Sequence, residues 1–318
     1  MSTVAERTIN LSFTIHPVQK TVYPLIAECF VEARGADYYS AEYYDAGWLE
    51  SNIELFAAFN GTGELVGAAG LTQGLFNDEK TTGCLLTIRP GFTGYGIAKR
   101  LIKHFSDVLH RREARVVKGQ VVTLHIGVQR IVESFGWIAT GFLPGARHGK
   151  NALVLYTGKL SKDVLLKDSL LKDNAGKLYI HPDISGLAEP IYNSLGVKVD
   201  IQNTGQCGET CISRLHDTHN RTLYIHATEC GAGFVRELHE LQELHELHEL
   251  QERSIVVLNL NDPSAIFGYE ALRSAGYRFC GFDPLGQYEH AIFYNTVFNG
   301  DMQMTEQVKI LKQEVDSI

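Results

Sequence analysis

The stretch "IRPGFTGYGIAKRL", residues 88–101, joins the end of an apolar strand pattern to the start of a helical pattern. Three glycines stand within six positions, and Gly94 and Gly96 lie directly before the helical pattern. Pro90 ends the strand, and glycine lets the backbone approach an anion closely. The first turn of a helix carries backbone N–H groups without intrahelical acceptors and a partial positive charge, and two basic residues follow here. The stretch therefore predicts a turn that holds a phosphate or pyrophosphate group.

The patterns around this turn set the fold class. They predict a strand at 11–18, a helix at 21–33, a helical or loop segment at 36–52, a hairpin over 54–71 around "NGTG", a strand at 81–90, helices at 96–113 and 128–137 with a strand at 115–125 between them, and further strands to about residue 160. Apolar residues recur every four positions in the helix at 96–113, so one of its faces is buried. This order of elements predicts a mixed α+β fold around one sheet.

The sequence context of the glycine turn argues against two other phosphate-binding folds. A Walker A loop has Lys-Ser or Lys-Thr directly after its last glycine, whereas Ile97 and Ala98 follow here. A dinucleotide-binding turn follows the first strand of a βαβ unit, whereas this turn follows the fourth strand. An ordinary strand-to-helix turn without a ligand remains the alternative.

Composition narrows the class of protein further. The chain has 318 residues, 44% of them hydrophobic, which is enough for two domains with separate cores. It carries 29 basic and 37 acidic residues, a net charge of -8, and no basic block, which argues against a nucleic-acid partner. No apolar run approaches the roughly 18 to 20 residues of a membrane helix, and the first ten residues lack a signal-peptide core. We expect a cytoplasmic protein without a membrane partner, with its six cysteines reduced.

The segment Thr93-Gly94-Tyr95-Gly96-Ile97-Ala98 resembles the coenzyme A pyrophosphate loop, Q/R-x-x-G-x-G/A, of the GNAT superfamily of N-acetyltransferases. Thr93 stands where that family usually has Gln or Arg. Downstream, "HIGVQRIVESFGWIATGFLPG" at 125–145 resembles the family's second signature. His125 falls at the family's Asn position, and Val132 falls where the family often has a Tyr that protonates the departing thiolate.

The second half of the chain resembles the same fold again. "KLYIHPDISGLAEPIYNSLGV" at 177–197 begins with a strand and a helix, and "SIVVLNLNDPSAIFGYEALRSAGYRFCGF" at 254–282 resembles the closing strand, helix and strand. Its counterpart of the glycine turn, 230–233, has neither proline nor a basic residue. The whole chain resembles a bacterial group of tandem two-domain members, in which "T-x-H-x-x-x-Q" (Thr123, His125 and Gln129 here) replaces the Asn motif.

We therefore expect two tandem GNAT-like domains, each a mostly antiparallel sheet flanked by helices. The expected boundaries are 1–160 for a domain with an intact coenzyme A loop, 161–175 for a linker, 176–300 for a degenerate domain and 301–318 for a C-terminal tail or helix. One coenzyme A site per chain follows from the degenerate second turn.

The resemblance also implies the site residues. The expected contacts with acetyl-CoA are Leu86, Thr87, Ile88, Thr93, Gly94, Tyr95, Gly96, Ile97, Ala98, Lys99, His125 and Gln129. Backbone N–H groups of residues 86–88 are expected to stabilise the oxyanion. His125 is expected to contact the cofactor first and to act as a catalytic acid or base second, because an imidazole titrates near neutral pH. Four tyrosines either pack between helices or contact the acceptor amine: Tyr38, Tyr39, Tyr43 and Tyr44.

Two further groups have metal-binding residue types. The tract 237–252, "ELHELQELHELHELQE", contains no H-E-x-x-H motif, and its leucines recur every three residues, so it predicts a mostly buried structural helix. Cys207, Cys211, His216 and His219 have loose spacing for a zinc site. We expect no metal at either group.

These features predict an acetyl-CoA-dependent N-acetyltransferase that transfers acetyl to an amine, of a small molecule or a protein, by direct attack on the thioester. An alternative is a regulatory module that binds acetyl-CoA with little or no turnover, which the missing Tyr favours. A purely structural protein is disfavoured because it would not need Gly94 and Gly96. The sequence does not identify the acceptor and leaves a homodimer open.

Overall fold

The computed structural model describes residues 12–36, 44–74, 77–123, 126–147, 151–160, 176–217, 222–247, 253–286, 289–295 and 302–318. The described residues fall into two compact units. The first unit takes in those of Met1–Gly74 and Asp78–Arg112, and the second takes in those of Leu75–Asn77 and Glu113–Ile318.

The first unit is a sheet with helices, in the order that the sequence predicts. Its elements are β1 (Thr14–Pro17), α1 (Tyr23–Arg34), α2 (Ala46–Asn52), β2 (Glu54–Phe59), β3 (Leu65–Gly74), β4 (Asn77–Ile88) and α3 (Ile97–Arg111). The strands lie side by side in chain order, and β2 runs antiparallel to both β1 and β3. The predicted hairpin at "NGTG" is confirmed, since the Asn60 side-chain oxygen accepts the backbone N–H groups of Thr62 and Glu64.

Helix α3 confirms the predicted apolar face. Its buried residues are Ile97, Leu101, Ile102, Phe105, Val108 and Leu109. A second core of this unit joins α1, α2 and the sheet through Ile26, Phe30, Leu49 and Leu55, all of them buried. Burial of this apolar surface is the main stabilising contribution to the unit.

The second unit is a larger mixed structure. Its strands are β5 (Val116–Val122), β6 (Ile138–Arg147), β7 (Asn151–Lys159), β8 (Lys177–Tyr179), β9 (Asp200–Gln202), β10 (Cys211–Asp217), β11 (Thr222–Glu229), β12 (Arg253–Asn259), β13 (Arg278–Asp283) and β14 (His290–Tyr294). Its helices are α4 (Gly127–Glu133), α5 (Pro182–Ser194), α6 (Ala232–Leu247), α7 (Ala265–Ser274) and α8 (Glu306–Asp316). Helix α8 lies in the segment 301–318, for which the sequence left a tail or a helix open.

In the second unit, two groups of three strands have the same order, one running in the opposite direction to the other. The order β5-β7-β6 is followed by β13-β14-β12, then β11 and β10, while β8 and β9 form a separate parallel pair. Strand β12 pairs antiparallel with β14 and parallel with β11. The succession β5, α4, β6, β7 thus has the same connectivity as β12, α7, β13, β14.

The two halves of this sheet meet where β6 pairs with β13, at Gly141 and Gly281. A Cβ on Gly281 would lie 2.2 Å from the Cα of Gly141, and Gly281 has a φ of 134°, in the region that favours glycine. Only glycine fits such a close approach.

The compact units do not follow the boundaries expected at residues 160 and 176. Strands β5 to β7 belong to the expected first domain, yet they share a sheet with the C-terminal strands, so they cluster with the second unit. The domain boundaries stay a prediction, and the expected linker at 161–175 lies outside the described residues.

Two other predictions bear on helices. In α6 the described Leu238 side chain is buried and His239 is exposed, while the side chains of 241–242 and 244–252 lie outside the described residues. Among the described helices, none has both the length and the apolar character that crossing a bilayer requires.

Candidate functional site

Strand β4 carries an irregularity just before the residues expected to stabilise an oxyanion. Leu85 has a φ of 53°, in the left-handed region that residues other than glycine rarely adopt. Its side chain is buried. A residue in this conformation interrupts a strand and changes the direction of the backbone groups that follow it. The N–H groups of residues 86–88 therefore follow a distorted position of the strand.

The glycine turn after β4 has the geometry that its sequence predicts. Pro90–Phe92 forms a short 3-10 turn, and Gly94 and Gly96 have φ values of 87° and 76°. Helix α3 begins directly afterwards, since the N–H of Arg100 donates to the carbonyl of Gly96. Glycine is favoured at both positions, because a residue with a Cβ would cost about 1 kcal/mol or more in this backbone conformation.

The same turn is open towards its outer side. A Cβ built on Gly94 or Gly96 would meet no atom within 4 Å. The N–H groups of Ile97 and Ala98 belong to the first helical turn and so have no intrahelical acceptor. An exposed concave backbone with donors and a helix N-terminus suits a pyrophosphate, so the residues present fit coenzyme A.

The basic side chains near the turn have different surroundings. Arg89 forms ion pairs with Glu32 at 3.2 Å and with a second carboxylate at 3.6 Å. The guanidinium of Arg100 lies 5.6 Å from the ring centroid of Phe13, in a cation–π contact. Lys99 is exposed. Arg100 is exposed as well, whereas Arg89 is half-buried, so Lys99 and Arg100 are the more accessible of these cations.

The other expected cofactor residues differ in exposure. Thr93 is exposed and donates its hydroxyl to the carbonyl of Pro90 at 3.0 Å, so it closes the 3-10 turn. Thr87 and Ile97 are buried, so their side chains belong to the core. The remaining members are half-buried: Leu86, Ile88, Tyr95 and Ala98.

Two expected residues follow strand β5. His125 lies outside the described residues, and its contact with the cofactor and its catalytic role stay predictions. Gln129 is 0% exposed, and both ends of its side-chain amide bind the backbone of residues 303 and 305. The Gln129 side chain thus hydrogen bonds to the C-terminal segment, and this contact differs from the expected contact with the cofactor. A contact between positions 174 residues apart has no local sequence signal.

The tyrosine cluster is described only at Tyr44. Its hydroxyl donates to the carbonyl of Gly35 at 3.1 Å and ties the chain before α2 to the end of α1. This contact supports the packing alternative at Tyr44, while Tyr38, Tyr39 and Tyr43 lie outside the described residues.

The cysteine and histidine group is not assembled as a site among the described residues. Cys207 and Cys211 are exposed, and no cluster of metal-ligating side chains occurs in the part of the chain that the structure describes. The side chains of His216 and His219 lie outside that part.

In the second half of the chain, the start of helix α6 is covered by another backbone segment. The N–H of Gly208 donates to the carbonyl of Cys230 at 3.1 Å, and a Cβ on Gly231 would lie 2.4 Å from the carbonyl oxygen of Gly208. The N–H of Cys230 in turn donates to the hydroxyl of Ser264 at 2.7 Å. Backbone of residues 208–210 therefore packs against the start of α6, in contrast to the open turn before α3.

The first of these two turns lies in a part of the chain that matches a protein-family model. Residues 20–137 match the model of the Acetyltransferase (GNAT) family, and this range contains the glycine turn. No curated protein sequence matches the chain.

The chain also resembles several solved structures, at low sequence identity. The ribosomal-protein-S18-alanine N-acetyltransferase of Escherichia coli is 16% identical, with a TM-score of 0.41 over 50% of this chain and 100% of that chain. An acetyltransferase of Acinetobacter baylyi is 20% identical, with a TM-score of 0.41 over 50% and 99%. An acetyltransferase of Salmonella typhimurium, solved with acetyl-CoA, is 16% identical, with a TM-score of 0.41 over 50% and 99%.

Proposed function

We propose that the protein transfers acetyl from acetyl-CoA to an amine, because residues 20–137 match the model of the Acetyltransferase (GNAT) family. One observation carries the proposal. Gly94 and Gly96 hold left-handed backbone at an open strand-to-helix turn inside the matched range. Such a turn suits a pyrophosphate, because glycine lets the backbone approach the anion closely and the start of the helix supplies N–H donors.

Bound acetyl-CoA supplies the activated thioester. The chain supplies groups that bind the pyrophosphate, a positive charge near it and groups that stabilise the oxyanion. The N–H groups of Ile97 and Ala98 bind the pyrophosphate, and exposed Lys99 adds a positive charge. The backbone N–H groups that follow Leu85 stabilise the negative charge that develops on the carbonyl oxygen.

The proton that leaves the amine needs an acceptor, because only a neutral amine attacks a thioester. His125 is our candidate to hold that proton or to contact the cofactor. Val132 occupies the position where a Tyr acid is common in the family that the sequence resembles, and Val132 is buried and cannot donate a proton. We therefore infer that no acid at position 132 protonates the thiolate.

A single cofactor per chain is part of the proposal. Residues 208–210 pack against the start of α6, where a pyrophosphate would have to approach. The connectivity of β12, α7, β13 and β14 supports a second GNAT-like domain that has lost its ligand. Calorimetric titration with acetyl-CoA should give one site per chain, and a stoichiometry of two would contradict this reading.

The buried Val132 also supports a second candidate, a module that binds acetyl-CoA without turnover. A screen separates the two candidates. The protein is incubated with acetyl-CoA and a panel of amines, polyamines and peptides, and free thiol and acetylated product are measured together. Product above the hydrolysis background supports transfer, whereas tight binding without product from any amine supports the regulatory module.

A further inference from the structure

The second unit contains a cavity of about 580 Å³, to which the proposed acetyl transfer assigns no role. The cavity lies between the end of α7, strands β6, β7, β13 and β14, and the last turns of α8. Small-molecule sites in proteins have volumes of roughly 300 to 1,000 Å³, so this cavity has the size of a ligand site.

Aromatic rings line one part of the cavity. Tyr269 and Phe279 each meet Phe293 edge to face, with ring centroids 5.7 and 5.8 Å from that of Phe293. All three side chains are buried, so their neighbours hold them in place. Rings that are already fixed lose little conformational entropy when a ligand packs on them. This part of the cavity therefore suits a flat aromatic group.

The polar atoms of the buried lining are already engaged. The hydroxyl of Tyr269 donates to Asp183 at 3.3 Å, and the hydroxyl of Tyr277 shares a hydrogen bond of 2.7 Å with Ser254. Burial raises the pKa of the Cys280 thiol to about 12, so this thiol stays protonated at neutral pH and is a poor nucleophile. The lining thus favours binding of a ligand over covalent chemistry.

The charged residues that line the cavity are mostly cations. Among the described residues they are Arg273, Arg278 and Lys312, against one acid, Asp316. The chain as a whole has the opposite balance, with 29 basic and 37 acidic residues. Arg273 is paired with Asp183, and Lys312 is paired with Asp316 one turn further along α8. An ion pair as exposed as the second one contributes little, so a ligand carboxylate can replace Asp316 as the partner of Lys312.

We propose that this cavity binds a small aromatic carboxylate, whose ring packs on Tyr269, Phe279 and Phe293 and whose carboxylate binds Lys312. The apolar lining selects the ring, and the excess of cations selects the negative charge. This site shares no residue with the glycine turn, so it is independent of the proposed acetyl transfer.

The first test compares ligands that differ in charge or in the ring. The full chain is titrated with β-naphthylacetate, with its neutral amide and with β-naphthylethylamine, and binding is followed by ligand-observed NMR. We expect a Kd below about 1 mM for the carboxylate, about tenfold weaker binding of the amide and no saturable binding of the amine. Octanoate, an aliphatic carboxylate, should bind more weakly than β-naphthylacetate. Absence of carboxylate binding, equal binding of the amine or tighter binding of octanoate would overturn the proposal.

The second test changes the charges on α8. Lys312→Gln should weaken binding of β-naphthylacetate about tenfold and leave binding of the amide unchanged. Asp316→Asn should tighten binding of the carboxylate about threefold, because it removes the competing partner of Lys312. Lys309→Gln, at an exposed position of the same helix where the side chain pairs with Glu306, is the matched control and should bind like wild type. Wild-type affinity in Lys312→Gln would contradict the assignment of the carboxylate to this residue.

The third test fills the cavity. Val315 is a half-buried lining residue of α8, and Val315→Trp should abolish binding of β-naphthylacetate. Ile310→Trp, at an exposed position of α8, should bind like wild type. Circular dichroism and urea denaturation establish that each variant is folded, and the two charge variants decide the matter if Val315→Trp does not fold. Unchanged binding in folded Val315→Trp would show that the ligand binds elsewhere and would overturn the proposal.

Discussion

Acidification should destabilise the second unit through one buried histidine. His290 on β14 is 2% exposed, and its Nε2 lies 3.0 Å from the Nε2 of His226 on β11. Burial lowers the pKa of His290 from 6.5 to about 3. Asp283 opposes this effect by raising the pKa, whereas His226 and Lys118 lower it further. The native imidazole therefore stays neutral at pH values where an unfolded chain binds a proton.

The magnitude follows from this difference. Stability from the neutral imidazole is fully present above about pH 6.5, and it is lost as the pH falls towards 3, because the unfolded state then binds the additional proton. Between pH 7 and pH 5 the loss from His290 alone is about 2 kcal/mol. Burial also lowers the pKa of His226, so that residue adds to the loss in the same direction.

The assay is urea denaturation at pH 7, 6 and 5, followed by tryptophan fluorescence. The chain has two tryptophans, and buried Trp137 lies in the same unit as His290, so a Trp48→Phe background reports on that unit. His290→Asn should make the free energy of unfolding less dependent on pH by about 2 kcal/mol over this range. His239→Asn, at an exposed position of α6, controls for the loss of an imidazole as such. Equal losses in His290→Asn and its parent would refute the reasoning.

Three further substitutions test the site and the fold. Gly96→Glu should weaken acetyl-CoA binding by more than about tenfold in calorimetry, because it puts a carboxylate where the pyrophosphate is expected to bind. The control Gly63→Glu, at a φ of 80° in the β2–β3 turn, should bind normally, and equal binding by both variants would contradict the loop assignment. Gly281→Ala should lower the free energy of unfolding, measured by urea denaturation, by about 3 kcal/mol, because its Cβ meets the backbone of β6. The control Gly276→Ala, at a φ of 81° with open space around it, should lower it by about 1 kcal/mol. Similar losses in both variants would argue against the close strand contact. His125→Asn should keep most of the turnover with a modest rise in KM, whereas a loss of about 10²- to 10⁴-fold together with disappearance of a limb of the pH profile would identify His125 as the catalytic acid or base.

Local signals in the sequence determined the elements and the shape of the glycine turn. The "NGTG" hairpin, the buried face of α3 and the positive φ values of Gly94 and Gly96 all depend on residues within a few positions of one another. Steric limits on φ and ψ and the helical period act at that range, so the sequence predicts them directly. The family match of residues 20–137 agrees with the same stretch.

Long-range packing decided the rest. The left-handed backbone of Leu85, the contact between Gly141 and Gly281, and the binding of residues 303–305 by Gln129 each depend on chain segments that meet only after folding. For this reason the sequence assigned Gln129 to the cofactor, whereas in the structure its buried amide hydrogen bonds to backbone 174 residues away. A buried polar group must find a partner, and only the tertiary structure determines which partner lies within reach.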